Sequence, residues 1–347
     1  MTAKRVRIRE VAERAGVSTG TVSNVLNHPE AVSETTRTHI LAVMRDLNFV
    51  RDASARQLRV GESQTVGVIV RDLSNPFYME LARGIEDRLA QDNCLMMVCS
   101  SDEDPDRESR YIRLFAEQGV RGMLITPFRD TSEQIEMLDT LHIPTVLLDA
   151  LSTTAQSVSV DHVDGARQAI RHLLDQGHRR IGFINGPPEL RPCQERAAGA
   201  AQAIEEYGLD VAEVLVTTAV GTMSTDSGQE GMAKLLASGG ATRTTGLVAR
   251  AVCPVTAVFC INDFVAIGAL RELRRHGLVV PTDVAVVGYD DIIFAREMMV
   301  PLTSVRQPMH DLGWTAVEML LTGQPAKHVS FQPQLIVRAS SLADQRG

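Results

Sequence analysis

Residues 7–58 read RIREVAERAGVSTGTVSNVLNHPEAVSETTRTHILAVMRDLNFVRDASARQL, and this stretch decides how the chain begins. Val11-Ala12 and Ala15-Gly16-Val17-Ser18 join two short helical patterns through a tight turn at Gly16. The second helix starts near Thr19 and carries Thr21, Val22, Ser23, Asn24, Val25 and Leu26. Two short helices joined by a short turn with a glycine form a helix-turn-helix, whose second helix can lie in a DNA major groove. Val11, Ala15, Val17, Val22 and Leu26 can bury between the helices, and small Ala12 and Ala15 permit a close approach. Gly16 can take the positive φ that ends the first helix. Ser18 can cap the second by accepting an orphan backbone N–H. Thr19, Gly20, Thr21, Ser23 and Asn24 are then left exposed near its N-terminus, where base edges and phosphates would be met. An ordinary helical hairpin is the competing reading, disfavoured because the whole pattern matches. Arg7 stands where a Ser or Thr cap is preferred, so the first helix starts poorly capped. Ser33-Glu34 followed by Ile40, Leu41, Met44 and Leu47 reads as a third helix, with Phe49 and Val50 closing a small core.

Length and charge set the surroundings. A chain of 347 residues is too long for one typical core and implies two or three domains. With 44% hydrophobic and 22% charged residues it has the composition of a soluble globular protein. No apolar run reaches the roughly 18 residues of a membrane span, and no apolar signal-peptide core follows the basic N-terminus. Membrane association and export are therefore not expected; the cytoplasm is. Cysteines 94, 99, 193, 253 and 260 are odd in number and lack C-x-x-C spacing, so they read as reduced thiols and not as a disulfide framework or zinc site. Residues 1–64 hold ten Lys/Arg and seven Asp/Glu, whereas the remainder holds 25 and 36. A basic head on an acidic body suits a DNA-binding domain attached to a body that phosphate repels.

Residues 51–64, RDASARQLRVGESQ, read as a linker with a short helical interior from Ala53 to Arg59. Seven residues are marginal as a helix in water because nucleation is costly, so such a segment can fold when a partner supplies contacts. Arg56 and Arg59 offer phosphate contacts. Leu58 is an apolar side chain on a polar segment, suited either to wedge open a base step in the minor groove or to pack on the body.

From Thr65 the rhythm changes. TVGVIV (65–70), CLMMVCS (94–100), VRGMLITP (120–127), IPTVLLD (143–149) and SVSVD (157–161) read as strands, with helices at 77–91 and 105–118 between them. A helix at 163–176 leads to RRIGFING (179–186). A helix at 192–207, a strand near 213–218 and a helix at 226–238 follow, then VTAVFCI (255–261), a helix at 263–276 and VAVVGYD (284–290). Alternating strands and helices with continuous apolar strands imply two parallel sheets, each covered on both faces. Ligand sites are expected at the carboxyl ends of the strands. Catalytic signatures are absent: there is no G-x-G-x-x-G, P-loop, G-x-S-x-G or H-E-x-x-H. The pair Asp290-Asp291 and histidines 162, 172 and 178 are the thin remainder on which acid–base or metal chemistry could rest. No enzyme activity, metal or cofactor is expected.

The chain resembles the lactose-repressor (LacI/GalR) family over essentially its full length. The resemblance rests on an ordered series: REVAERAGVSTGTVSNVLN, VSETTR, LNFVRDASARQL, VIVRDLSNPFY, SSDEDPDRE, GHRRIGFI, and VFCINDFVAIGALRELRRHGLVVPTDVAVVGYDDI followed by PLTSVRQP. It implies an N-terminal helix-turn-helix headpiece (1–50), a hinge helix (51–64), and a two-lobed α/β body with parallel sheets, similar to a periplasmic sugar-binding protein. The N-terminal lobe is expected at 65–162 and 292–323, the C-terminal lobe at 163–291 and 324–341. The implied function is that of a sequence-specific transcriptional regulator, a repressor rather than an activator. A homodimer would bind a two-fold operator in double-stranded DNA, under a small effector held between the lobes, with a carbohydrate expected before a purine. A sugar-binding or sugar-modifying body whose headpiece has lost specific DNA binding is the alternative.

By position, the family's base readers fall on Thr19, Gly20 and Asn24. Gly20 departs from the pattern: it has no side chain to read a base and costs about 1 kcal/mol of helix stability relative to Ala. Asn24 can make a bidentate contact to adenine. Thr21 and Ser23 match phosphate-contacting positions, and Leu58 the minor-groove wedge, with Ala55 and Arg56 beside it. The family's effector positions fall on Asn75, Phe77, Tyr78, Asp102, Asp149, Arg196, Met223, Asn262, Asp263 and Asp290. These carboxylates, amides and the Arg fork suit a polyol or nucleoside, with an aromatic face against a ring. Each also has an ordinary reading: Asn75-Pro76 as a turn, Asp290 as a loop cap, Asp102 as part of a solvated acidic loop. Met223 departs from the aromatic ring frequent at its position. Residues 238–254, SGGATRTTGLVARAVCP, are longer than the family's usual connection and read as an exposed, mobile loop. No leucine heptads follow the strand at 335–341, so a dimer is expected and not the tetramer of some relatives.

Overall fold

The computed structural model describes residues 6–50, 63–128, 132–152, 154–238, 253–323 and 327–342, with the backbone alone at 242–245 and 248–251. The chain divides into two compact units, Met1–Glu62 and Ser63–Gly347.

In the first unit, α1 (Ile8–Ala15), α2 (Thr19–Asn27) and α3 (Glu34–Asp46) enclose a core of Val11, Ala12, Ala15, Val22, Val25, Ile40, Val43 and Met44. Gly16 takes φ 66° after α1, and its N–H reaches back to the carbonyls of Ala12 and Glu13. Ser18 and Ser33 cap α2 and α3, accepting from the backbone N–H of Thr21 at 3.0 Å and of Thr36 at 3.4 Å. Arg7, at the head of α1, makes no side-chain cap. The expected hinge helix, with Ala55, Arg56 and Leu58, lies outside the described residues.

The second unit is built on two six-stranded sheets. The first follows β1 (Thr65–Val70), α4 (Pro76–Gln91), β2 (Leu95–Ser100), α5 (Pro105–Glu117), β3 (Gly122–Ile125), α6 (Ser132–Thr140), β4 (Thr145–Leu148) and β5 (Gln156–Val160). The second follows α7 (His162–Asp175), β6 (Ile181–Asn185), α8 (Arg191–Glu206), α9 (Val211–Val214), β7 (Leu215–Ala219) and α10 (Thr225–Ala237). After the short pair β8 (Thr242–Thr245) and β9 (Val248–Ala251) it continues through β10 (Ala257–Cys260), α11 (Asp263–Arg275), β11 (Ala285–Asp290), α12 (Ile293–Glu297) and β12 (Thr303–Arg306). Then α13 (Met309–Thr322) and β13 (His328–Phe331) return to the first lobe, and β14 (Gln334–Ile336) ends in the second. Strand order is β13-β5-β4-β3-β1-β2 in the first sheet and β14-β12-β11-β10-β6-β7 in the second. Every pairing within them is parallel except β12 with β14.

The alternation of a strand between two buried faces is visible in β1. Val66, Val68 and Val70 join the core under α4 and α13, whereas Ile69 faces the opposite core with Phe115 and Ile112 of α5. Gly67 lies under Phe115, where a Cβ would come within 2.5 Å of the ring. Between α4 and α13 the backbones nearly touch: a Cβ on Gly84 would lie 2.0 Å from the carbonyl oxygen of His310.

Three sequence expectations change. Residues 303–306, placed in the N-terminal lobe with 292–323, belong to the second sheet, because β12 pairs with β11 from Val287↔Thr303 to Asp290↔Arg306. Residues 328–331, placed in the C-terminal lobe with 324–341, belong to the first sheet, because β13 extends it beyond β5. The stretch 238–254 is not all loop: β8 and β9 pair antiparallel, Thr242 opposite Ala251 and Thr245 opposite Val248. Helix α6 was not anticipated; its nine residues bury Ile135 and Leu138, too short an apolar signal to stand out. Among the described residues no helix is long and apolar enough to cross a membrane.

Candidate functional site

Two places gather the polar residues that the sequence singled out. The first is α2. Its buried side holds Val22 and Val25, so the helix turns Thr19, Gly20 and Asn24 to solvent, with Thr21 and Ser23 half-buried at the edge. The Thr21 hydroxyl sits 2.9 Å from that of Ser18, and Asn27 Nδ2 donates to the Ser23 carbonyl at 2.8 Å. These bonds fix the first and last turns of α2. At Gly20 the nearest atom to an added Cβ is Ser18 Oγ at 3.5 Å, so nothing in the fold demands a glycine there.

The second place is a cleft of about 430 Å³ within the second unit. The carboxyl ends of the strands supply its walls, as parallel α/β sheets require. From the first sheet come Arg71 and Asp72 after β1, Asn75, Phe77 and Tyr78 at the start of α4, Asp102 and Glu103 after β2, and Asp149 after β4. From the second come Arg196 on α8, Thr222 to Thr225 after β7, Asn262 and Phe264 after β10, and Asp290 at the end of β11. Nine of the ten expected effector positions therefore line one cavity.

Asp263 is the exception. It is fully buried, Oδ1 accepting from Ser304 Oγ at 2.6 Å and Oδ2 from the Ile292 backbone N–H at 2.8 Å. At the first turn of α11 it faces the sheet, while its neighbours Asn262 and Phe264 face the cleft. Burial, with Asp290 nearby, raises its carboxyl well above the ordinary value. Sequence spacing alone cannot separate adjacent residues at a helix start that point to opposite sides.

The cleft floor is a chain of paired groups. The Arg196 guanidinium lies 3.6 Å over the Tyr289 ring, donates to the Ile261 carbonyl, and stands 3.9 Å from Asp290 Oδ1. It also meets His162 Nδ1 at 3.4 Å. A guanidinium only donates, so Nδ1 accepts and His162 Nε2–H donates to Asp149 Oδ1 at 2.8 Å. Burial, reinforced by Arg196 and opposed by Asp149, pushes His162 down to about 4. Burial alone would raise Asp149; His162, Arg191 and Arg71 hold it well below the carboxylate range instead. Asp290 is pushed up to about 7 by burial, against Arg196 and the 2.7 Å hydrogen bond from Gln307 Nε2. Asn75 and Asn262 cap α4 and α11 through Oδ1, and Asn262 Nδ2 holds the Met223 carbonyl at 3.1 Å. Asp102 is drawn down by its hydrogen bond from Ser100 and by Arg107.

Neither Arg71, which lines the cleft, nor Arg191, His162 and Tyr289, which hold its lining residues Asp149 and Arg196, were foreseen. Arg71 follows β1 and Tyr289 lies on β11, so the rule of strand carboxyl ends would have found Arg71. Asp291 sits outside the cleft lining, paired with Arg306 and Arg338. His172 bonds Ser341 and His178 bonds Thr256, so neither joins His162 in an acid–base group. Among the described residues no group of His, Cys, Asp or Glu is arranged to hold a metal ion.

With this geometry in hand, comparison with known proteins becomes specific. Residues 7–52 match the family described as bacterial regulatory proteins, lacI family, and residues 170–341 match the periplasmic binding protein-like domain. The chain is 34% identical over 339 residues to the HTH-type transcriptional repressor PurR of Vibrio campbellii, covering 95% of this chain and 97% of that one. It is 31% identical over 347 residues to the HTH-type transcriptional repressor CytR of Escherichia coli, covering 97% and 96%. Among solved structures it is similar to a lac repressor dimer bound to operator and the anti-inducer ONPF, with TM-score 0.83, 28% identity, and coverage of 98% and 100%. It is also similar to a complex of the transcriptional regulator CelR with cellobiose, with TM-score 0.70, 29% identity, and coverage of 97% and 100%.

Proposed function

The chain belongs to the lacI family of bacterial regulatory proteins, and from that premise we propose that its cleft takes a carbohydrate effector and its α2 reads a two-fold operator. The protein is a DNA-binding transcriptional regulator of the repressor type, controlled by a small molecule held in its body. The family consists of transcriptional regulators; the cleft binds its ligand and releases it unchanged. The regulator acts in the cytoplasm, where its DNA is.

The observation that carries the effector reading is the buried pair of Arg196 and Asp290 on the floor of a cleft walled by Phe77, Tyr78 and Phe264. A donor fork beside an acceptor suits neighbouring hydroxyls, and a ring face suits the C–H face of a sugar. Asn75, Asn262 and Met223 complete the contact surface. Asp102 and Asp149 border the same space, where each is already paired with a protein cation. Cellobiose and ribose in related regulators support a sugar before other ligands.

On DNA, Thr19 and Asn24 read bases, Thr21 and Ser23 hold phosphates, and Gly20 contributes no side-chain readout. Leu58 of each chain pries open a step between half-sites, with Ala55 and Arg56 beside it. A homodimer places two headpieces on a two-fold site, as in the lac repressor dimer on its operator. Effector and operator must alter each other's affinity by the same factor.

The test is selection of random duplex DNA by the purified protein at one stated salt concentration. A palindrome of two half-sites is expected. Operator affinity is then measured across a sugar panel, and one sugar should shift it. No enriched sequence from folded dimer would remove the operator reading; no sugar shifting the affinity would remove the carbohydrate.

A further inference from the structure

Two arginines line the cleft, one from each lobe, and the protein holds them differently. Arg196 is committed: its fork donates to the Ile261 carbonyl, meets His162 Nδ1 and lies 3.6 Å over the Tyr289 ring. Arg71 stands on the loop after β1. Among the described residues none accepts a hydrogen bond from its guanidinium; the nearest carboxylate oxygen, Asp149 Oδ2, is 3.6 Å away, and Nε is buried without an acceptor. The residue is only 4% exposed, and a guanidinium keeps its charge when buried. Asp149 has little left to give it. Its Oδ1 already accepts from His162 Nε2 at 2.8 Å and from Arg191 Nη2 at 3.1 Å, and its carbonyl accepts from Arg191 at 2.9 Å. Glu108, close enough to feel the charge of Arg71, is bound to the Phe128 backbone N–H at 3.0 Å. The cleft therefore presents two unlike halves. The second lobe offers the Arg196–Asp290 pair, a donor fork beside an acceptor. The first offers a buried cation whose N–H groups call for acceptors.

We propose that the effector is a sugar acid: its hydroxyls meet Arg196 and Asp290, and its carboxylate takes the Arg71 fork. This rests on the cleft being a carbohydrate site, and it narrows that reading to one class of sugar. A planar fork and a carboxylate join through two parallel N–H···O bonds, a match that arginine makes and lysine does not. Asp149 at 3.6 Å and Glu103 on the same lining limit the negative charge that can enter beside Arg71. A carboxylate brings one such charge and a phosphate ester close to two, which favours the carboxylate. At about 430 Å³ the cleft lies toward the small end of ligand pockets and suits a single acidic sugar.

The experiment is calorimetric titration of the intact chain, without DNA and at one salt concentration, using matched probes. D-glucuronate, D-galacturonate and D-gluconate are compared with D-glucose, D-galactose and D-glucitol, and glucose-6-phosphate supplies the phosphate arm. At least one acid should bind at least about tenfold tighter than its neutral counterpart, the scale of a charged hydrogen bond. Arg71→Gln should cut affinity for that acid at least about tenfold while changing affinity for the neutral counterpart less than about threefold. Arg71→Lys, which keeps the charge but not the fork, should retain part of the preference. An Arg71 that served only as a strut to Asp149 would weaken acid and neutral sugar alike in Arg71→Gln, and that result overturns the proposal. A neutral sugar bound as tightly as its acid overturns it too, and leaves the carbohydrate reading standing. So does glucose-6-phosphate bound in preference to every acid. If no acid binds, the proposal falls whatever the neutral sugars do, and the neutral arm alone then decides the carbohydrate reading. If Arg71→Gln does not fold, the ratio of acid to neutral affinity in the unsubstituted chain decides.

Discussion

Replacing Asp263 separates a structural strut from a ligand contact. Asp263→Ala would leave two buried donors, the Ile292 N–H and the Ser304 hydroxyl, without their acceptor. An unsatisfied buried donor costs about 1–3 kcal/mol, so the pair sums to roughly 2–6 kcal/mol of body stability. Asp263→Asn keeps an oxygen for Ile292 and presents an N–H to Ser304 Oγ, so its cost should stay below about 1.5 kcal/mol. The assay is denaturant unfolding of both variants and the parent chain, followed at several pH values.

The pH series carries the sharper test. Burial raises the folded-state carboxyl of Asp263 well above its ordinary value of 3.8. Between that value and the raised one, the folded chain holds a proton that the unfolded chain has released. Stability from this group is therefore complete below the ordinary carboxylate value and is lost as pH rises, at most about 1.4 kcal/mol per pH unit for one proton. Asp263→Asn has no such proton. The deficit of the Asn variant relative to the parent should shrink steadily from pH 4 upward. A constant deficit across pH 4–7 would refute the buried neutral carboxyl. Unchanged stability of Asp263→Ala, together with lost effector binding, would return Asp263 to the cleft as the sequence implied.

Gly84→Ala should destabilise the first lobe by about 1–3 kcal/mol, since its Cβ meets the His310 carbonyl at 2.0 Å and backbone cannot step aside; denaturant midpoints of the two proteins check this. Gly20→Ala should do the reverse, strengthening α2 by up to about 1 kcal/mol, because the nearest obstacle is Ser18 Oγ at 3.5 Å. Slower amide hydrogen exchange across residues 19–27 is the readout, and faster exchange would contradict it. Asn24→Ala should weaken the selected operator by about 1–3 kcal/mol through one base position while leaving random duplex binding unchanged; equal losses on both duplexes would show that Asn24 does not read bases.

The helix-turn-helix was legible because every local signal agreed: Gly16 stops α1, Ser18 caps α2, and Val22 and Val25 point one way. The parallel sheets were equally plain from continuous apolar strands. Lobe membership of 303–306 and 328–331 was not, because a strand's partner depends on contacts that local periodicity does not encode. The Thr303 strand joins β11 from just ten residues downstream of Ile293, and the His328 strand finds β5 some 170 residues back. The cleft was readable at the residues ending strands or starting helices, such as Asn75, Asn262 and Asp290. Its floor was harder. Arg191 bonds to Asp149 there because α8, which buries Ala200 and Ala203 in the core of the second lobe, starts beside the end of β4.

Under the proposed effector reading of the cleft, its construction also bears on ligand choice. On the floor, Arg196, His162, Asp149 and Asp290 bond to one another or to Ile261 and Gln307, so the protein itself holds their geometry. Preset groups supply affinity without reorganisation, but they bind any ligand with suitably placed hydroxyls. Discrimination falls to the rim, which comes from loops rather than from strands locked in a core. Met223 shows how such a rim changes at little cost to the fold. Its loop is anchored through its main-chain carbonyl by Asn262 Nδ2 at 3.1 Å, so that bond does not depend on the side chain it carries. A Met223→Phe change keeps the anchor while replacing a flexible thioether with a flat ring on the lining of the cleft. Ligand preference can therefore shift at this position while the floor, and the pairings that hold it, stay as they are.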